Sequence, residues 1–140
     1  MAITEKYAIQ SCTTGCYLDG RNPNHSDPWL AERPPHDMYL QWQIICLSTG
    51  TFALKSISSK KYLDGRNPRE YDLLLTDRNP EEDNYLQWDA IPSSNPGRYF
   101  LKSCSSGNYL DGRYSRLPCL VEEGRCIKTE YIEWNIIRLP

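Results

Sequence analysis

Short stretches in which apolar and polar residues alternate recur along the whole chain, and turn-forming residues separate them. The clearest of these stretches cover residues 7–12, 51–57 and 98–104. Alternation with a period of two predicts β-strands that bury one face. No stretch of useful length shows the period of an amphipathic helix, so the pattern predicts an all-β protein built from short strands.

Two phrases recur and divide the chain into three copies. The phrase Tyr-Leu-Asp-Gly-Arg occurs at residues 17–21, 62–66 and 109–113. A second phrase, Tyr-Leu-Gln-Trp or Tyr-Ile-Glu-Trp, closes each copy, and its tryptophans lie 46 residues apart at Trp42, Trp88 and Trp134. Self-similarity at a fixed period decides the architecture before local propensity does. The chain is therefore predicted to be a threefold repeat, with copies at about residues 1–48, 49–94 and 95–140.

Each copy shows the pattern of four short strands. The predicted strands are 7–12, 16–19, 29–31 and 39–46, then 51–57, 62–63, 72–76 and 85–91, then 98–104, 109–110, 119–122 and 131–138. Three copies of four strands resemble a β-trefoil, a six-stranded barrel capped by three hairpins. A propeller has blades of similar length but typically needs about four to eight of them. We therefore expect one all-β domain, a β-trefoil with pseudo-threefold symmetry, over residues 1–140.

Charge and hydropathy narrow the choice of partners. The 140 residues carry a formal net charge of −2, whereas a nucleic-acid-binding or heparin-binding protein would show a basic face. No apolar run approaches the roughly 18 to 20 residues that span a bilayer, and the first residues lack the apolar core of a signal peptide. We expect no nucleic-acid partner, no transmembrane segment, and a cytoplasmic or non-classically secreted protein.

The six cysteines do not recur with the copies, as a disulfide framework would. Cys12 and Cys104 are equivalent, but Cys119 and Cys126 occur in the last copy only. This uneven distribution favours reduced thiols in a cytosolic protein. The pair to check is Cys119 with Cys126, which could face each other across a short hairpin.

The repeated phrases also predict parts of the core. Leucine and tyrosine point to opposite faces of a strand, and the leucines Leu18, Leu63 and Leu110 are predicted to be the buried members. The three tryptophans are predicted to be core residues because they recur at an invariant spacing inside an apolar strand. The glycines Gly20, Gly65 and Gly112 are predicted to supply a positive φ angle.

The sequence resembles the ricin-B-like lectins among the β-trefoils. Those lectins carry Gln-x-Trp at the end of each copy, whereas this chain has the intervening residue missing at 41–42, 87–88 and 133–134. The Leu-Asp pair after the second-strand tyrosine is similar to the Leu-Asp of those lectins, in which the aspartate grips sugar hydroxyls. The pattern Leu-Lys-Ser…Tyr-Leu, at 54–63 and 101–110, is also similar to the fascin-like trefoils. The subfamily therefore stays open.

Polar residues in and after the first phrase form the candidate binding set. Ionised carboxylates accept hydrogen bonds from adjacent hydroxyls, Asn donates and accepts, and Arg donates in a fixed fork, as sugar recognition requires. The predicted polar ligands are Asp19, Arg21, Asn22, Asp64, Arg66, Asn67, Asp111 and Arg113. Candidates for a ring that stacks on the sugar are Trp29, Tyr71 and Tyr114. The structural alternative is that each Asp caps its turn and pairs with its own Arg.

Other polar residues are harder to place. The acids before the closing tyrosines either line the same pocket or solvate a loop, and these are Asp37, Asp83 and Glu130. In the third copy Tyr114-Ser115 replaces Asn-Pro and Glu133 replaces Gln, so we predict two competent sites and one altered or inactive site. No Ser/His/Asp or Cys/His set is visible, and no zinc-ligand spacing occurs. We therefore expect neither an enzyme nor a cofactor or metal site.

Two hypotheses follow. The first is a lectin that binds glycans or glycoconjugates through two or three shallow sites, one per repeat, with avidity from multivalency; a homodimer would add to that avidity. The second is a protein-binding β-trefoil, either a fascin-like cytoskeletal module or a protease inhibitor. It would act through the unique loops at residues 22–28 and 33–37. Whether function follows the repeated residues or the unique loops distinguishes the two.

Overall fold

The computed structural model describes residues 5–65, 73–114, 116–125 and 128–140. Its twelve strands are β1 (Lys6–Ser11), β2 (Tyr17–Asp19), β3 (Trp29–Ala31), β4 (Trp42–Cys46), β5 (Phe52–Ser56), β6 (Tyr62–Asp64), β7 (Leu74–Thr76), β8 (Trp88–Pro92), β9 (Arg98–Ser103), β10 (Tyr109–Asp111), β11 (Cys119–Val121) and β12 (Glu133–Leu139). Single 3-10 turns lie at Met38–Leu40, Asn84–Leu86, Glu123–Arg125 and Thr129–Ile132. None of these helical turns, within the described ranges, has the length or apolar character to cross a membrane.

Six of the strands close into a barrel. β1 pairs with β4, β4 with β5, β5 with β8, β8 with β9, β9 with β12, and β12 with β1, all antiparallel. The other strands form three hairpins, β2–β3, β6–β7 and β10–β11, which continue from β1, β5 and β9. Closure leaves the barrel without exposed sheet edges. This arrangement confirms the predicted all-β class and the β-trefoil.

Three buried tryptophans of the barrel strands form hydrogen bonds to the hairpins. Trp42, Trp88 and Trp134 are fully buried. Their indole N–H groups donate to the carbonyl oxygens of Leu18, Leu63 and Leu110, at 2.9, 3.0 and 2.9 Å. A buried indole N–H needs such a partner, and here the partner lies on a hairpin strand. The predicted core roles of these leucines and tryptophans are confirmed.

The fourth strand of every copy begins later than predicted, at Trp42, Trp88 and Glu133, and the first two copies share one cause. Residues 38–40 and 84–86 form 3-10 turns in place of the start of a strand. The carboxylates of Asp37 and Asp83 accept hydrogen bonds from the backbone N–H groups of Tyr39 and Tyr85, at 2.9 and 3.0 Å. Because an Asp that caps a backbone N–H offers the chain a local alternative to strand pairing, extended structure starts only at Trp42 and Trp88.

The glycines of the repeated phrase serve close packing and not a left-handed backbone, so that prediction was wrong. The φ angles of Gly20, Gly65 and Gly112 are not positive, and the positive φ falls on Arg21, at 56°. A Cβ atom on these glycines would lie 2.1, 2.9 and 2.7 Å from the Oγ atoms of Ser56, Ser103 and Ser11. Each serine belongs to another copy, so every glycine leaves room for a neighbouring repeat.

Five cysteines are free thiols in the described part of the chain: Cys12, Cys16, Cys46, Cys104 and Cys119. Burial raises the pKa of Cys104 and of Cys119 to about 11, and a nearby carboxylate adds to each effect. Because the thiolate is the nucleophile, these two thiols are poorly reactive at neutral pH. Cys126 lies outside the described residues, so the structure does not test whether it faces Cys119.

Glu133 begins β12 and is buried among donors from the turn between β8 and β9. Its carboxylate accepts hydrogen bonds from Ser93 Oγ at 2.6 Å, Asn95 Nδ2 at 2.9 Å and Arg98 Nη1 at 3.5 Å. Burial alone would raise the pKa of Glu133, but the hydrogen bonds and the charge of Arg98 together lower it below its ordinary value of 4.5. The charged form is therefore favoured in the folded protein.

We expect a Glu133→Gln variant to be less stable than the wild type at neutral pH, and the gap to close in acid. A carboxyl whose pKa is lower in the folded state contributes stability above its unfolded-state pKa. That contribution is lost as the pH falls through the folded-state value, below 4.5 here. Urea unfolding of both proteins at about pH 7, 5 and 3 measures the gap. A difference of the same size at all three pH values would contradict this account.

Candidate functional site

The three repeated aspartates lie beneath the surface at the ends of hairpin strands. Asp19, Asp64 and Asp111 are 5%, 0% and 1% exposed. Oδ1 of Asp19 accepts a hydrogen bond from the backbone N–H of Arg21 at 2.7 Å, and Oδ1 of Asp111 accepts one from that of Arg113 at 2.8 Å. Each therefore caps the turn that follows it. The structure gives these aspartates structural partners, and their predicted contact with a ligand stays a prediction.

In the first two repeats the aspartate also holds an arginine from beyond the hairpin. Arg33 contacts two aspartates. Its Nη2 lies 3.0 Å from Asp19 Oδ2, and its Nε lies 2.8 Å from Asp37 Oδ2. In the same way Arg78 joins Asp64, at 3.2 Å, to Asp83, at 2.8 Å. We call these two groups, Asp19–Arg33–Asp37 and Asp64–Arg78–Asp83, the Asp–Arg–Asp clamps. Asp37 and Asp83 thus complete an ion pair as well as capping a turn.

The clamps leave part of each arginine available. The side chains of Arg33 and Arg78 are 47% and 45% exposed. Nε and Nη2 are used in the clamp, which leaves Nη1 with no hydrogen bond to the described residues. Hydrogen bonds to Asp19 and Asp37 outweigh the effect of burial and raise the pKa of Arg33. The guanidinium is therefore charged and held in a fixed orientation, as a donor to a ligand should be.

Sequence reasoning missed Arg33 and Arg78, although the sequence contains a signal for them. Each arginine follows its hairpin by two residues and precedes a proline-containing loop that ends in Asp37 or Asp83. The arginines are thus equivalent, but the loops differ in length by one residue. A search at a fixed spacing from the closing Tyr-Leu-Gln-Trp therefore does not align them.

In the third repeat, the repeated aspartate pairs with an arginine from a different position in the chain. The hairpin registers make residue 123 equivalent to Arg33 and Arg78, and that residue is a glutamate. Arg113 pairs with the aspartate of this repeat instead, and its Nε and Nη2 lie 2.8 and 2.7 Å from Asp111 Oδ2. Its guanidinium also lies 4.5 Å from the centroid of the Tyr131 ring. The hydrogen bond to Asp111 raises the pKa of Arg113.

Arg21 and Asn22 are used within their own loop. Arg21 Nη1 lies 3.3 Å from Asp27, and its guanidinium lies 5.0 Å from the centroid of the Trp29 ring. Asn22 Oδ1 accepts a hydrogen bond from the backbone N–H of Asn24 at 2.9 Å and lies 3.1 Å from His25 Nδ1. Both side chains therefore shape residues 21–29, and Arg21 supports the indole of Trp29.

A cavity of about 330 Å³ lies beside Trp29. Its lining comes from β3 and its neighbours and comprises Cys16, Trp29, Leu30, Ala31, Glu32, Arg33 and Arg116. Arg116 belongs to the third repeat, and its carbonyl oxygen accepts a hydrogen bond from Leu30 N at 2.9 Å. The cavity therefore opens where two repeats meet, and it combines a predicted aromatic residue with a clamp arginine.

The remaining predicted residues are not in this cavity. Tyr114 is exposed, and the Arg113 guanidinium lies 5.8 Å from its ring centroid. Arg66, Asn67 and Tyr71 lie outside the described residues. The three aspartates stand on three separate hairpins, one in each repeat. No group of three or more His, Cys, Asp or Glu residues within the described ranges could hold a metal ion.

Comparison with known proteins establishes the fold. No family model matches the sequence, and no curated protein matches it. Among solved structures, the designed threefold-symmetric protein ThreeFoil is similar, with 17% identity, 96% of this chain and 99% of that chain covered, and a TM-score of 0.78. BEL β-trefoil (16% identity, 99% and 96% covered, TM-score 0.78) and SeviL bound to asialo-GM1 saccharide (17%, 96% and 98%, 0.76) are also similar. At these identities the likeness shows the fold alone, and that fold is the β-trefoil.

Proposed function

We propose that this chain binds carbohydrate at the hairpin ends of its repeats, with the cavity beside Trp29 as one of the sites. The observation that carries the proposal is the meeting of an indole, a fixed guanidinium and a cavity of about 330 Å³ at one place. Ligand pockets have volumes of about 300 to 1,000 Å³. An indole stacks on the apolar face of a sugar ring, and Arg33 Nη1 donates to a hydroxyl or carboxylate.

Two further observations support the proposal. SeviL, which has a similar fold, is seen with a bound saccharide. In the second repeat, the clamp holds Arg78 in the same way as the clamp of the first repeat holds Arg33. The Arg78 guanidinium lies 5.9 Å from the centroid of the Tyr85 ring. An aromatic ring beside a donor is thus present in both repeats. We propose binding without catalysis, in keeping with the sequence.

The clamps also suggest how many sites are competent. In the third repeat the side chain of Arg113 is only 17% exposed, and its Nε and Nη2 both contact the carboxylate of Asp111. We propose that the first and second repeats bind glycan and that the third does not. The buried aspartates then act by fixing the arginines, and the arginines contact the sugar.

We expect Arg33→Lys and Arg78→Lys each to weaken glycan binding at its own repeat by tenfold or more, and Arg113→Lys to have little effect. Lysine keeps the charge beside the buried aspartate but lacks the planar fork that bonds in two directions. A glycan array with the labelled protein identifies the ligand, and calorimetric titration of the variants then gives affinity and stoichiometry. The matched control is Arg138→Lys, at an exposed arginine of β12 that pairs with Glu5.

The outcomes separate the hypotheses. A loss of one binding site in each clamp variant, with both sites retained in the Arg113 and Arg138 variants, supports the proposal. Equal loss in all three repeats would contradict the assignment of two sites. A blank array from folded protein would reject the lectin and favour a protein partner that reads the unique loops at 22–28 and 33–37.

A further inference from the structure

The barrel contains an asymmetry at three equivalent positions. Strands β4, β8 and β12 place Ile44, Ala90 and Ile136 at intervals of 46 residues. All three are partly buried against the core. An alanine where the other two copies have isoleucine removes three carbon atoms from one side of the barrel. Close-packed interiors leave few voids, so the missing volume should appear as a cavity.

An apolar cavity of about 290 Å³ is present at this place. Its lining comes from all six barrel strands and comprises Tyr7, Ile44, Phe52, Leu54, Ala90, Tyr99, Leu101 and Ile136. Tyr7, Phe52 and Tyr99 are equivalent residues near the starts of β1, β5 and β9, the ends that lie away from the hairpins. The cavity therefore opens at the end of the barrel opposite the proposed glycan sites, inside a ring of three aromatic residues.

We propose that this open end of the barrel binds a small, neutral, apolar molecule. No described residue of the lining carries a charge, and the Tyr7 hydroxyl donates to Glu5 Oε2 at 2.6 Å, so the lining offers a charged ligand no group of opposite charge. An apolar cavity of about 150 Å³ holds benzene, so 290 Å³ suits an aliphatic or aromatic ligand of about a dozen carbon atoms. A helix, about 10 Å across, is too wide a body for it.

The ligand would gain by leaving water, as apolar molecules do when a preformed concave site receives them. The ring of Tyr7, Phe52 and Tyr99 offers π faces and edges to it. The lining includes no clamp residue, and its aromatic residues lie at the strand ends away from the hairpins. The site is therefore independent of carbohydrate binding, and either function can fail without the other.

Titration of the full chain with 1-octanol, followed by NMR, tests the proposal. The wild type should show saturable shifts of the side-chain signals of Leu54, Leu101 and Ile136. Ala90→Ile should weaken this binding tenfold or more, because its three added carbon atoms occupy space that the ligand needs. The matched control is Ile91→Ala, at an exposed residue on the same strand, which should leave octanol binding unchanged.

Ala90→Val adds a smaller side chain and serves as the test if Ala90→Ile does not fold. It should weaken octanol binding by a smaller factor. Non-saturable shifts in the wild type would overturn the proposal. So would an unchanged affinity in a folded Ala90→Ile or Ala90→Val protein. Glycan binding measured on the same variants should not change, which separates this site from the hairpin sites.

Discussion

Gly20→Ala should lower the free energy of unfolding by about 3 kcal/mol, at the upper end of the cost of overpacking a core. The added Cβ would lie 2.1 Å from Ser56 Oγ, 2.4 Å from Ser56 Cβ and 3.3 Å from the Trp42 ring. A hydroxyl can rotate away, but Ser56 Cβ is fixed to β5, and Ser56 is fully buried. Backbone must therefore move in one of two repeats. Thermal and urea unfolding measure the loss, which corresponds to roughly 10 °C in melting temperature.

The control for this variant is Gly124→Ala. A Cβ on Gly124 meets nothing within 4 Å, and its φ is not in the left-handed region, so its stability should change by less than about 0.5 kcal/mol. The double variant Gly20→Ala with Ser56→Gly tests the cause. If the clash with Ser56 is responsible, the two changes should be strongly non-additive, and the double variant should recover most of the loss. Additive losses would refute a steric origin.

Asp64→Ala should be destabilising by about 3 kcal/mol, more than a change at a surface carboxylate costs. Asp64 is fully buried, and its Oδ2 accepts hydrogen bonds from Thr76 Oγ1 at 2.8 Å and from Arg78 Nη2 at 3.2 Å. Removing the carboxylate leaves Thr76 Oγ1 and Arg78 Nη2 without this acceptor, and breaking a buried charged pair costs several kcal/mol. The exposure of Arg78 reduces this cost, because water can solvate the guanidinium.

Asp27→Ala is the matched control for the buried carboxylate. Asp27 also pairs with an arginine, Arg21, at 3.3 Å, but its side chain is 57% exposed. Exposed ion pairs contribute at most about 1 kcal/mol, so this variant should unfold close to the wild type. Urea unfolding at neutral pH compares the two variants. Equal and small losses would show that the Asp–Arg–Asp clamp does not stabilise the hairpin.

The sequence was sufficient to predict the barrel and its core. The three tryptophans recur at a fixed interval, and such regularity survives only where the packing environment is the same in each copy. The apolar run at residues 29–31, set among loop-forming residues, located β3, the least obvious strand, as observed. Both signals can be read along the chain without knowledge of any contact between distant residues.

The contacts of the candidate site could not be predicted in the same way. Arg33 and Asp19 are fourteen residues apart, and nothing in either phrase says that the arginine reaches back across a hairpin. The role of Gly20 depends on Ser56, in the next repeat, so a local turn rule gave the wrong reason for the right residue. Arg33 and Arg113 pair with equivalent aspartates but occupy different positions in their repeats. An alignment of the repeats therefore does not show that they share this role.

The pairing of β1 with β12 has a consequence for the order of the chain. Lys6 lies opposite Leu139, so the two ends of the described sequence meet in one antiparallel ladder. Each repeat also packs against the next through its glycine and serine, with the third returning to the first through Gly112 and Ser11. The contacts therefore form a circle in which no repeat is first. Circular permutation, with the ends joined and a new start at a turn such as Thr49–Gly50, would preserve every one of these pairings.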